Sequence, residues 1–282
     1  MLEDILFGSL ALPGELIRVV LAVAGTAVAA YFDITNKKNV PDAFLYAFLL
    51  IAFVVNAVFY EETLFWFSMA AAAFVAAVGY LFYRAGQFGG ADVFVLAAVM
   101  LLLPVHPSFT AMPFNLPFGF SVFVFSGVIF AVFVMAYFGW KLTQVEAKPN
   151  LLYGLMLIPY LAFAWFFINS FLFSPVFFAI VTVAFFASIF FLVFRDSLNM
   201  LLAEELPVSQ LEPEDVLALE VMNRDMVERY KIPRLMTREE ISRLKKSKIK
   251  EVWVYTKLPP FLPFMLAGVL LSLFFAKYLL LI

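Results

Sequence analysis

Cysteine is absent, which excludes disulfides, thiolate nucleophiles and cysteine-ligated zinc or iron–sulfur centres together. Histidine occurs once, at position 106, so a histidine-rich metal centre is excluded as well. Charge is scarce over most of the chain. Of the 19 Lys+Arg and 21 Asp+Glu residues, 24 lie between positions 195 and 257, leaving 16 for the other 219 positions. A net charge of −2 gives no electrostatic case for binding nucleic acid. Hydrolytic chemistry, if there is any, rests on carboxylates, hydroxyls or lysines, and neither metal nor cofactor is expected. What the chain does have is apolar residues: 65% of its 282 positions are hydrophobic, against about 45–50% in an ordinary globular domain. That composition belongs to an integral membrane protein.

A spanning helix needs about 20 predominantly apolar residues to cross about 30 Å of hydrocarbon. Such runs fall near 13–32, 43–60, 63–83, 91–112, 119–140, 151–169, 174–194 and 261–280. The expected fold is therefore an all-α polytopic membrane protein of about eight transmembrane helices. The fourth run is the weakest, because Pro104, His106 and Pro107 interrupt it early. Residues 1–194 are expected to form a membrane domain of seven spans, 195–258 a small soluble α/β domain, and 259–282 the final span. The opening Met-Leu-Glu-Asp lacks the basic start of a secretory signal, so the first apolar segment is expected to remain in place.

Lys and Arg accumulate in cytoplasmic loops. With the N-terminus outside, the inner gaps hold Lys37, Lys38, Arg84, Lys141, Lys148 and every basic residue of the 195–257 stretch, and only Arg18 and Lys277 fall elsewhere. Long domains cross membranes with little regard to charge, yet the five short-loop cations alone give the same orientation. The expectation is a multi-pass protein of the cell membrane with its N-terminus outside and the 195–258 domain in the cytosol.

On this map Asp33 ends the first span and Asp92 opens the fourth. Two crossings separate them, so they face the same side of the bilayer whichever way the protein is inserted. Ionisable groups at the hydrocarbon boundary are costly and often functional. Two neighbouring carboxylates share a proton, which supplies an acid and a base: one activates a water, the other hydrogen-bonds a peptide carbonyl oxygen. Gly89 and Gly90 suit a loop that bends sharply and lets a substrate strand approach. A plainer reading stands beside this one, in which Asp33 ends a helix at the headgroups, Asp92 caps the next helix and the glycines form a turn.

Two motifs bear on the choice. Asp33, followed by Lys37-Lys38 and then Val40-Pro41-Asp42, resembles the first aspartate motif of the type IV prepilin peptidases. Gly89-Gly90-Ala91-Asp92 resembles their second motif, GxGD, in the form of archaeal prepilin and preflagellin peptidases. The resemblance covers the first four spans. It implies a membrane aspartyl protease that removes short basic leaders from pilin-like or archaellin precursors, with Asp33 and Asp92 as the catalytic pair. The segment from Lys257 through Pro259-Pro260 to Gly268 also resembles the stretch before the last helix in longer archaeal members. Ala91 departs from the second glycine of GxGD, and Phe94 stands where many members carry lysine. Without a cysteine tetrad, the methyltransferase activity of many bacterial members is not implied.

Presenilin-like proteolysis is a variant of the same chemistry, although the Pro-Ala-Leu motif is missing from the late prolines. A transporter using Asp33 and Asp92 for a proton or cation is the alternative of a different class, and its site is expected near the bilayer midplane. Asp42, after Pro41, is read as a helix N-cap, with recognition of a basic leader as its functional competitor. His106 is read as an ordinary loop residue, and the 37 phenylalanines as lipid contact and packing. Ser108, Ser170 and Lys148 lack nucleophile–base partners, which argues against Ser/Lys signal-peptidase chemistry. In the soluble stretch, Leu211-Glu-Pro-Glu-Asp is expected to start a helix and Thr237-Arg-Glu-Glu240 to form a capping box, with Met236 and Ile241 as its hydrophobic staple. The segment 251–256 reads as a strand. The 86–90 loop is expected to be weakly pinned, because it is rich in glycine.

Overall fold

The computed structural model describes residues 11–36, 39–110, 116–171, 173–247, 249–256 and 259–280. The opening Met-Leu-Glu-Asp, the Lys37-Lys38 pair and Lys257 lie outside them. The first five helices are α1 (Glu15–Thr35), α2 (Asp42–Phe59), α3 (Glu62–Arg84), α4 (Gly90–Leu102) and α5 (Phe118–Leu142). After a 3₁₀ turn, Leu151–Met156, come α6 (Leu157–Ile168) and α7 (Pro175–Val193). The polar stretch contributes α8 (Arg195–Leu202), β1 (Ala203–Pro207), α9 (Arg224–Tyr230), α10 (Arg238–Lys245) and β2 (Glu251–Tyr255), and the last helix, α11 (Leu262–Phe275), follows. Among the described residues, seven segments are long and apolar enough to cross a membrane, and α4 is the short exception. The chain is an all-α multi-pass membrane protein.

The fourth run gives a shorter helix than its apolar length suggested. Pro104 disfavours helical geometry at the residue before it, and Leu103 is accordingly non-helical, with φ −132° and ψ 77°. The helix therefore ends at Leu102 after 13 residues, about 20 Å at 1.5 Å per residue, well short of the hydrocarbon thickness. The segment that follows, residues 103–107, is buried. His106 is buried within it, and its ring nitrogens lie 2.9 Å from both Leu116 O and Ser121 Oγ. The expectation of an ordinary loop histidine misses that burial: once a helix stops inside the bundle, its loop is enclosed and needs internal hydrogen-bond partners.

The core lies among α1 to α5 and α11. Lipid is as apolar as leucine, so helices in a membrane pack closely where small residues allow it. Gly25 faces the Phe48 ring, Gly119 faces Met100, and Gly268 of α11 faces Ser126 and the Val122 carbonyl of α5, each so closely that a Cβ there would collide. By contrast, α6 and α7 pair as a hairpin through the stacked rings of Tyr160 and Phe185, 4.4 Å apart, and a 2.8 Å bond between the hydroxyls of Tyr160 and Thr182.

The polar stretch builds its own core of Leu217, Met236, Ile241, Leu244, Val252 and Val254. Strand β1 pairs antiparallel with β2 from Ala203↔Tyr255 to Pro207↔Glu251. Thr237 caps α10 by accepting from the Glu240 amide at 3.3 Å, with Met236 and Ile241 buried beside it. Residues 212–215 form a turn where the segment 211–215 was expected to start a helix. Pro213 takes its second position, Glu214 follows with φ 75°, and the Asp215 amide closes it onto the Glu212 carbonyl at 3.3 Å. A proline followed by a left-handed residue is a turn signature, incompatible with a helix start.

Candidate functional site

Asp33 lies in the last turn of α1, 7% exposed. Its Oδ2 accepts the Leu262 amide at 3.0 Å. That amide belongs to the first turn of α11, where backbone N–H groups have no partner within the helix. Asp33 thus caps a helix 229 positions later in the chain. Asp92 is the third residue of α4, 9% exposed, and its Oδ2 accepts the amide of Gly89, the N-cap, at 3.1 Å. The two carboxylates are near enough to interact electrostatically. Each is therefore oriented by a backbone N–H at a helix start, Asp92 by its own helix and Asp33 by α11.

Helix capping, the plainer reading of the sequence, is thus part of how both aspartates are held. The same contact draws in α11, which no local signal reveals. The ring of Phe88 stacks on that of Phe261, with centroids 5.9 Å apart, and each ring immediately precedes an amide that binds an aspartate. Phe130 packs edge-on against Phe261 at 5.4 Å. Rings from the 86–90 loop, α5 and the residue before α11 thus pack together next to the two amides that hold the carboxylates.

The polar stretch closes over the 86–90 loop. The Tyr83 hydroxyl donates to Glu214 Oε1 at 3.1 Å, and the same carboxylate sits beside Gly90. Gly86 has φ 70°, a conformation that a side chain strains, and a Cβ there would meet Arg234 and Val216 at 3.3 Å. The loop is packed against side chains of the insert, contrary to the expectation that little was available to pin it. Local patterning does not foretell this contact, because 131 positions separate Tyr83 from Glu214.

Asp42 is not a cap. It is the first residue of α2, exposed and without a side-chain capping bond, and Pro41 occupies the N-cap. Phe94 meets Tyr46 of α2 edge-on at 5.6 Å. Among the described residues, no group of three or more His, Cys, Asp or Glu side chains could hold a metal ion.

Residues 20–140 match the type IV leader peptidase family, the family whose two aspartate motifs the chain resembles. The matched stretch contains Asp33, Asp92 and helices α2 to α4 entire. No curated protein and no solved structure matches the chain. The family carries a leader peptidase function and, with it, pilin-type precursors as substrates in general.

Proposed function

We propose that the protein is a membrane aspartyl endopeptidase that removes basic leaders from type IV pilin-like or archaellin precursors at the cytosolic face of the membrane. The observation that carries this reading is the burial of both Asp33 and Asp92 within electrostatic reach of each other, each held by the amide of a helix start. In the reaction one aspartate takes a proton from water as its oxygen attacks the scissile carbonyl, while the other gives its proton to the carbonyl oxygen. The tetrahedral intermediate then collapses, the C–N bond breaks, and the departing nitrogen takes up a proton from the dyad. The amides of Gly89 and Leu262 hold the carboxylates in place through these transfers. Gly89, exposed and without a side chain, leaves room beside Asp92 for an extended substrate strand, whereas Gly90 packs against Tyr83 and Glu214. The insert sits in the cytosol, where a leader arrives, and the N-terminus lies outside.

The broken helix α4 favours a second reading, since interrupted helices mark ion sites in transporters. Arg18 opposes it. Its guanidinium occupies the carbonyl end of α4, donating to Leu102 O at 3.3 Å, where a transported cation would need to bind.

The test is incubation of membranes carrying the protein with a panel of precursors, read as size shifts. The expected result is a loss of leader mass that disappears in Asp33→Asn and in Asp92→Asn. Cleavage retained by either variant removes the assignment. Cleavage of type I membrane segments instead of leaders selects presenilin-like proteolysis. Proton or cation flux without any cleavage selects the transporter.

A further inference from the structure

Arg18 is fully buried in an apolar bundle, and the proposed chemistry does not use it. A charge within a membrane domain is costly and is kept where it has a task. Its Nε donates to the Pro13 carbonyl at 2.8 Å, Nη1 to Leu102 O at 3.3 Å and Nη2 to Val55 O at 3.3 Å. The guanidinium lies 3.5 Å over the Tyr60 ring, whose hydroxyl also donates to Leu102 O at 3.4 Å. One planar group thus joins the start of α1, the last turn of α2 and the last residue of α4.

The reason lies in the shortness of α4. The last carbonyls of a helix have no partner inside it, and those of α4 emerge within the bundle, where donors must come from protein. A helix that reaches both interfaces is fixed in depth by anchors at its two ends. Helix α4 stops partway, so its depth depends on what holds Leu102. That hold comes from α1, the helix that also carries Asp33.

We propose that Arg18 is a positioning residue that sets the register of α4 against α1 and α2 from the far end of the bundle, so that Asp92 is held opposite Asp33. The assignment rests on reading the two aspartates as the catalytic pair. Lysine is a poor substitute, because a point charge on a flexible stem does not bridge three carbonyls in a plane.

The absence of cysteine allows a register readout that needs no substrate. Tyr46→Cys with Phe94→Cys places two thiols across the α2–α4 contact, and the rate of disulfide formation under a mild oxidant reports the depth of α4. In that background Arg18→Met should slow cross-linking about tenfold, and Arg18→Lys should give an intermediate rate. Separately, in the otherwise unchanged chain, Arg18→Met should lower kcat on a precursor by about ten- to a hundredfold while KM stays within about twofold, with Arg18→Lys recovering part of the loss. If Arg18→Met is not recovered as folded protein, Tyr60→Phe removes one of the two donors to Leu102 and should still cut kcat about two- to fivefold. Unchanged cross-linking together with unchanged kcat in the Arg18 variants, or full activity in Tyr60→Phe where those variants do not fold, overturns the proposal. If the parent chain cleaves no precursor, the protease assignment fails, and cross-linking alone then decides the register.

Discussion

Helices α4 and α7 are both apolar, and their surroundings are opposite. Every residue of α4 from Val95 to Leu102 is buried, whereas in α7 only Ala187 is, although the α7 window has a mean hydropathy of 2.8, the highest of the seven spans. In water the more apolar helix would be expected inside. In lipid that driving force between helices is missing, and burial follows small residues, polar partners and short length. The buried set around α4 accordingly includes Ala22, Ala29, Ala52 and Ala98 together with Arg18, Thr26, Asn56 and Ser68. Helix α7 instead presents phenylalanines to lipid and to the Tyr160 side of its hairpin.

The sharpest way to break this contrast is chemical. On the proposed mechanism, Asp33→Asn and Asp92→Asn should each lower cleavage by at least about a thousandfold, within the range for loss of a general acid or base. Both should remain in the membrane fraction with unchanged helix content by circular dichroism. Asp42→Asn, at an exposed helix start, should keep most activity. No single substitution on the exposed face of α7 should approach the effect of either aspartate, and one that did would place the working centre elsewhere.

Packing gives the next largest difference. Ala98 has no exposed surface and Ala179 is exposed, so the same change, alanine to leucine, tests both environments. Overfilling a packed core costs about 1–3 kcal/mol. Ala98→Leu should lower the thermal midpoint in detergent and reduce cleavage, whereas Ala179→Leu should leave both within error. Equal shifts in the two variants would mean that α7 is covered as closely as α4.

These contrasts also mark what sequence alone can show. The spans are legible because an unbroken run of about 20 apolar residues matches the thickness of the hydrocarbon layer, and the prolines at 104 and 107 signal the early stop of α4. Asp33 and Asp92 fall at one end by a count of crossings. That Asp33 caps α11 is hidden, since no periodicity links residues 229 positions apart. In the sequence Arg18 is a stray charge on the wrong side of the membrane, and two of its three carbonyl partners, Val55 and Leu102, reach it only after α2 and α4 have packed. In the insert, only the Thr237 half of the expected capping box forms, and this N-cap is a local device and is readable. The turn at 212–215 is not, because proline suits both a helix start and the second position of a turn, and only the φ of Glu214 separates them.

A smaller effect is expected where the insert meets the 86–90 loop. Tyr83→Phe and Glu214→Gln each weaken one partly exposed hydrogen bond, of the kind worth about 0.5–1.5 kcal/mol. Cleavage should fall about two- to fivefold in either variant, and the double variant should lose no more than the worse single one, because both changes break the same link. Additive losses would show that the two residues act separately.

The smallest effect concerns the insert, whose apolar residues gather in a buried core of their own and follow the ordinary hydrophobic rule that α7 escapes. The Tyr255 hydroxyl lies 3.1 Å from both Asn199 Oδ1 and the Glu220 carboxylate. Burial, reinforced by the negative charge of Glu220, pushes this phenol up to about 12. A group whose pKa is raised on folding stabilises the fold below its unfolded value, about 10 for tyrosine, and that contribution fades as the pH climbs through the folded value. Between about pH 10 and 12 the protein should therefore lose stability in the insert faster than Tyr255→Phe does. The change is best followed by the fluorescence of Trp253, the neighbouring strand tryptophan, since ring ionisation and strand opening occur together there. Identical alkaline transitions in the parent and in Tyr255→Phe would mean that this hydroxyl adds nothing to the insert, and that β2 is held by its apolar face alone.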